Sequence, residues 1–161
     1  MFAVRLVQLI ETHADRLSEG LLHKIKTSGR CSELLRRVPA EELKRRTYEI
    51  YRNLSDWLLN KTESEIEERY IGLGARRARQ GVPFSQFFWA VCATKEYLWE
   101  YLQREGVIEK PVEFWGEMEL LHVLEQFFDS ALYFASIGYE STRKDDVAEA
   151  LASHASGFRS T

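Results

Sequence analysis

Proline is scarce in this 161-residue chain, and its three positions are informative. Pro39, Pro83 and Pro111 each fall between long segments with a 3.6-residue apolar period, where the fixed φ of proline opens a helix instead of kinking one. Cysteine is nearly absent too. Cys31 and Cys92 lie far apart, the second inside an apolar helical run, a pattern of buried reduced thiols that excludes a disulfide-stapled fold and fits the cytoplasm. There is no basic excess: a formal net charge of -3 and a pI near 5.9 argue against a general nucleic-acid binder. Nor is there a hydrophobic run of membrane-spanning length. The opening MFAVRLVQLIETHADRL is interrupted by Arg5, Gln8, Glu11 and Asp15, so it provides neither a signal-peptide core nor a span. Internal repeats and low-complexity tracts are also missing.

What is present is ample for one core: 45% of residues are hydrophobic and 12% aromatic. The apolar periodicity predicts an all-α domain of about five long helices over residues 1–144, followed by a small-residue, polar segment, 145–161, expected to be frayed or mobile. The first helix is predicted from Phe2 to Lys26, with Leu6, Leu9, Ile10, His13, Leu17, Leu21 and Ile25 along one stripe. The second spans Ala40 to Asn60 and buries Leu43, Thr47, Ile50, Tyr51, Leu54, Trp57 and Leu58. Thr62 and Glu65 have capping-box spacing, so a third helix should run from Glu63 to Arg79, with Gly81 just past its end in a left-handed conformation. Gly29, in the polar gap after the first helix, is expected to have room to adjust. Gly72 and Gly74 inside the third helix each cost about 1 kcal/mol relative to alanine, which favours a close helix crossing or a ligand approaching bare backbone. The fourth helix, from Pro83 to Arg104, and the fifth, from Pro111 to Arg143, are apolar on more than one face and must be covered on more than one side.

The stretch GLGARRARQGVPFSQFFWAVCATKEYLWEYL, with LIETHADRLSEGLLHKI before it and LSDWLLN ahead of the third helix, resembles the N-terminal sensor module of RsbR-type stress regulators and of some bacterial histidine kinases. The resemblance implies a globin-like, non-haem signal-input domain that forms a homodimer through its first and last helices. No STAS, kinase or DNA-binding domain accompanies it in this sequence, so a separately encoded signalling protein is expected as the output partner.

Candidate chemistry is thin. A globin-like fold raises haem, yet residues 62–82, which precede the long apolar helix, hold no histidine. His122 and His13 lie on longer helices and could face a cavity or simply be core histidines. Glu119, His122 and Glu125 stand at i, i+3 and i+6, but a di-iron bundle needs a second Glu-x-x-His motif, and this chain has one. Cys92 among apolar neighbours is an unreactive thiol, and GLGARR sits inside a helix, away from any strand that would make it a phosphate loop. The expectation is therefore no catalytic residue, no metal and no cofactor. The basic groups Arg36, Arg37, Lys44, Arg45, Arg46 and Arg76, Arg77, Arg79 are interleaved with glutamates and read as a solvated face. The excess apolar width of the last two helices points to a dimer interface or a cavity for a small apolar ligand. Trp89, Trp99, Trp115, Met118 and His122 are the residues expected to line or adjoin it, with Trp89, Cys92 and Trp99 sharing one side of the fourth helix.

Overall fold

The computed structural model describes residues 2–105 and 111–157, with side chains described for 4–105 and 118–157. Every regular element among them is helical. The expected first helix is split in two, α1 (Phe2–Thr12) and α2 (Ala14–Ser28), at His13, whose φ of -103° and ψ of 17° leave the helical region. Just before the break, the Thr12 hydroxyl donates back to the Gln8 carbonyl at 2.7 Å. The stripe itself holds: Leu6, Ile10, Leu17, Leu21 and Ile25 are all buried. Gly29 closes α2 with a φ of 71°, so it is a left-handed helix stop and not a position with freedom to adjust.

The short α3 (Ser32–Arg37) has no cap of its own. Its first amides are satisfied from a later helix: Gln86 Oε1 accepts from the N–H groups of Glu33 and Leu34 at 2.9 and 3.0 Å. Pro39 leads into α4 (Ala40–Arg52), which stops earlier than expected and is followed by a π-helical turn, Asp56–Asn60. At the break, Asn53 turns its side-chain amide onto the Glu49 carbonyl, and Glu11 of α1 accepts the Ser55 N–H at 2.7 Å. These local and tertiary partners replace part of the continuous helix ladder.

α5 (Glu63–Arg79) starts on the expected capping box, with Thr62 and Glu65 exchanging side-chain-to-backbone bonds. It closes before Gly81, whose φ is 72°. α6 (Phe84–Glu105) follows, and then α7 (Pro111–Gly157), a single helix of 47 residues. Residues 145–157 thus continue the helix, while burial ends at Thr142. The compositional change at Lys144 marks where packing stops, not where the helix stops.

The most extensive helix contact is between α5 and α7. A Cβ built on Gly74 would fall on the Ala135 carbonyl, and one on Gly138 would fall on the Ile71 carbonyl, so the two backbones touch at reciprocal points. Of the two α5 glycines, only Gly74 serves this crossing; Gly72 is exposed with nothing near its missing side chain. Tyr139 reinforces the junction by donating from its buried hydroxyl to the Val82 carbonyl at 2.6 Å, tying α7 to the turn that leaves α5.

The two helical glycines should therefore respond oppositely to alanine. Gly72→Ala is expected to raise stability in urea unfolding by about 0.4–1 kcal/mol, because it meets open space and restricts the unfolded chain. Gly74→Ala should lower it by about 2 kcal/mol or more, because α5 and α7 must separate to admit a methyl group. Equal midpoints for the two variants would contradict the crossing.

Candidate functional site

Three helices of opposite character meet beneath the α5–α7 crossing. α4 contributes Leu43, Thr47 and Ile50 on its inner stripe, and Arg46 falls within the same stripe. α5 contributes Tyr70, Leu73 and Arg77, and α7 contributes Phe128, Ala131 and Ala135. With Ile25 of α2, Leu34 of α3 and Phe87, Ala90, Val91 and Thr94 of α6, they line a partly open cavity of about 80 Å³. Its small residues, Ala90, Ala131 and Ala135, leave the space that larger side chains would fill. The wall is otherwise apolar, apart from two threonines, two arginines and one tyrosine.

Most of those polar groups are satisfied. Thr47 and Thr94 donate their hydroxyls to carbonyls of their own helices, Leu43 and Ala90, at 3.0 and 2.8 Å. Arg77, 2% exposed, donates through Nη1 to Glu42 at 3.0 Å and to Gln80 at 2.7 Å. Glu42, itself 6% exposed, is held by both Arg76 and Arg77 and receives a further bond from the Gln80 amide. The Arg76 hydrogen bonds dominate its titration, and against the opposing effect of burial the carboxyl pKa is lowered to about 2. Burial pushes the Arg77 guanidinium below its ordinary value as well, with the Glu42 carboxylate opposing. The charges at α4 and α5 are thus locked to one another and not solvated. Two buried groups of this wall, Arg46 Nε and the Tyr70 hydroxyl, lack hydrogen-bond partners; among the described residues the Tyr101 hydroxyl, away from the cavity, is another.

The described members of the set expected from the sequence do not line this cavity. Trp89 is half-buried, with the Arg30 guanidinium over its ring at 5.7 Å. Trp99 is 38% exposed and borders a surface groove between α6 and α7 with Cys92, Leu121 and Leu124. Met118 and His122 are exposed. The side chain of Trp115 lies outside the described residues. Trp99 and Cys92 are brought together, but none of the described members of the set lines the central cavity. His122 therefore does not face it, and His13 packs edge-on against Tyr101 instead, with ring centroids 6.4 Å apart. Of the metal-spaced trio, Glu125 pairs with Lys95 at 3.2 Å. No cluster of three or more His, Cys, Asp or Glu placed to hold a metal ion occurs among the described residues. The two cysteines are free, and burial raises both thiols.

The solvated-face reading of the basic clusters needs correction at three residues. Arg77 is buried, Arg46 is partly buried, and Glu42, the partner of Arg77, is buried as well. The signal was periodic: Arg46 stands between Leu43 and Ile50 at +3 and -4, and Arg77 follows Tyr70 and Leu73 at +7 and +4, so both sit on apolar stripes. A charge on a stripe must be paired inside the fold.

A family model described as the RsbT co-antagonist protein rsbRD N-terminal domain matches residues 6–154. The chain belongs to this family, and it is a regulatory helical module of stress signalling. Comparison with curated proteins and with solved structures gives no match. Among the described residues, no helix is long and apolar enough to cross a membrane.

The buried network has a testable pH signature. The Glu42 carboxyl is depressed in the fold from an ordinary 4.5 to about 2, so the stability it contributes is complete above pH 4.5 and is lost as pH falls towards 2. Glu42→Gln should cost about 3 kcal/mol at neutral pH by leaving Arg77 without its counter-charge, and should flatten the acid limb of the stability curve in that window. An unchanged acid limb in urea titrations from pH 5 to 2 would show that the network does not carry it.

Proposed function

We propose that this member of the rsbRD N-terminal domain family is a globin-like input module that works without haem, reading a small, largely apolar molecule held in the central cavity. The observation that carries the reading is the cavity itself: six of the seven α-helices among the described residues converge on it, and every wall except the Arg46–Tyr70 side is apolar or internally satisfied. A space bounded by so many elements lets one occupant bias the packing of them all. Haem does not fit this site, because no histidine lines it and a volume of about 80 Å³ is far too small for a macrocycle.

The module passes its state to a separately encoded signalling protein as a homodimer joined through α1 and the first half of α7. Support comes from the surface. Val4, Leu59 and Met118 are large apolar side chains standing 53%, 73% and 47% exposed. Val4 and Leu59 flank a groove formed by α1, the π-helical turn and α7, floored by Val7, Leu120 and Val123. Met118 precedes that groove on α7. An isolated monomer leaves this patch in water, whereas a two-fold pairing covers it with its own copy.

Two measurements test the two halves. Dissolved xenon, which enters dry apolar cavities, should give a saturable 129Xe shift with the full chain, and Ala131→Leu, which fills the space, should abolish it. A shift unaffected by Ala131→Leu would place the uptake elsewhere. Sedimentation at micromolar concentration should give twice the 18.8 kDa chain mass, and the double variant Val4→Glu, Leu59→Glu should give monomers. A monomeric wild type would remove the dimer.

A further inference from the structure

We infer that the molecule read by the central cavity is a short-chain carboxylic acid, bound as its anion, with the carboxylate received by the Tyr70 hydroxyl and Arg46 Nε and the short alkyl body lying against Ala90, Val91 and Ala131. This rests on the ligand-binding reading above and names the ligand's chemical class.

Elimination within the wall leads to it. Thr47, Thr94 and Arg77 already have acceptors within the fold, so they ask nothing of an occupant. Tyr70 is 5% exposed, and its hydroxyl has no partner; Arg46 Nε is equally shut off and equally unpartnered. Leaving a buried donor unsatisfied is costly, more so for a charged one. Both groups are donors in this setting, one of them on a permanent cation, so what is missing is an acceptor with negative charge. Glu42 is already engaged by Arg76, Arg77 and Gln80, and Glu49 by Arg69 at 2.7 Å, so these two carboxylates of α4 are not free to supply it. A carboxylate offers two oxygens, one for each donor.

The remainder of the cavity sets the body of the ligand. An inorganic anion would satisfy the donors and leave the alanine and valine wall facing empty space, whereas an alkyl group fills it. The volume of about 80 Å³ is roughly half that of an apolar cavity that takes up benzene, which limits the body to a few carbon atoms. Arg46 and Leu73 line both the cavity and an outer groove between α4 and α5, whose rim carries Lys61 and Arg69 together with Glu65 and Glu68, so the two spaces adjoin at the Arg46 side chain.

The test is calorimetric titration of the full chain with propionate and butyrate against propionamide and butyramide, at constant ionic strength set by sodium chloride. The carboxylates are expected to bind about tenfold or more tightly than the amides of equal length, as one charge-assisted hydrogen bond requires. Tyr70→Phe and Arg46→Gln should each weaken carboxylate binding by about tenfold while leaving xenon uptake intact. Tyr70→Phe is the decisive variant, because it keeps the ring, removes only an unpartnered hydroxyl and should leave the ligand-free melting temperature unchanged or higher. Amides binding as tightly as carboxylates, or Tyr70→Phe without effect on carboxylate affinity, would overturn the inference. Absence of carboxylate binding also overturns it; xenon uptake in the same preparation then shows that the cavity reading survives, and its loss shows that both fail.

Discussion

Two backbones in direct contact at Gly74 and Gly138 fix the geometry on which the rest of this structure depends. With Ile71 and Ala135 carbonyls filling the places of the missing side chains, α5 and α7 lie closer than ordinary packing distances would permit. That proximity sets the floor of the central cavity, since Tyr70, Leu73 and Arg77 project from α5 on one side of the crossing and Ala131 and Ala135 from α7 on the other. The Tyr139 bond to the Val82 carbonyl then fixes where the chain turns into α6, and hence where Phe87, Ala90 and Thr94 stand. A glycine pair thus determines the position of residues it never touches.

The ionic network of Glu42, Arg76, Arg77 and Gln80 has a different role. Buried ion pairs seldom add much stability over apolar residues of the same shape, because removing charges from water is expensive. They do enforce registry. Glu42 is on the first turn of α4 and Arg76 and Arg77 on the last turns of α5, so only one axial alignment of the two helices satisfies all three charges. Gln80, on the residue that ends α5, extends the same requirement into the turn at Gly81. The network therefore specifies how α4 meets α5, while the glycines specify how α5 meets α7.

Much of this was legible in the residues, and the parts that were not share a cause. The capping box at Thr62 and Glu65, the helix stop at Gly81 and the helix starts after Pro39 and Pro83 depend on local backbone chemistry, which the sequence displays directly. The break at His13 carries no proline or glycine, and the Thr12 hydroxyl bond beside it has counterparts at Thr47 and Thr94 inside unbroken helices, so no local residue announces it. The shortened α4 owes part of its ending to Glu11, 44 residues away from Ser55. The central cavity escaped the sequence for a similar reason. Aromatic and histidine side chains on α6 and α7 were expected to carry it, whereas the cavity is built where alanines leave room and where Arg46 and Arg77 occupy apolar stripes. Absent volume and an internally paired charge are properties of the assembled fold, and only the periodic position of the two arginines announced them.

The length of α7 adds a mechanical property. The helix touches the cavity at Phe128, Ala131 and Ala135, and it continues without a break to Gly157, its side chains free of the body beyond Thr142. From Ala135 to Gly157 the rod measures about 33 Å, so a tilt of about 5° at the cavity displaces the far end by about 3 Å. The arrangement has the proportions of a lever with its short arm inside the protein. Rearrangements too small to alter the outline of the domain become, at the tip, movements as large as a residue.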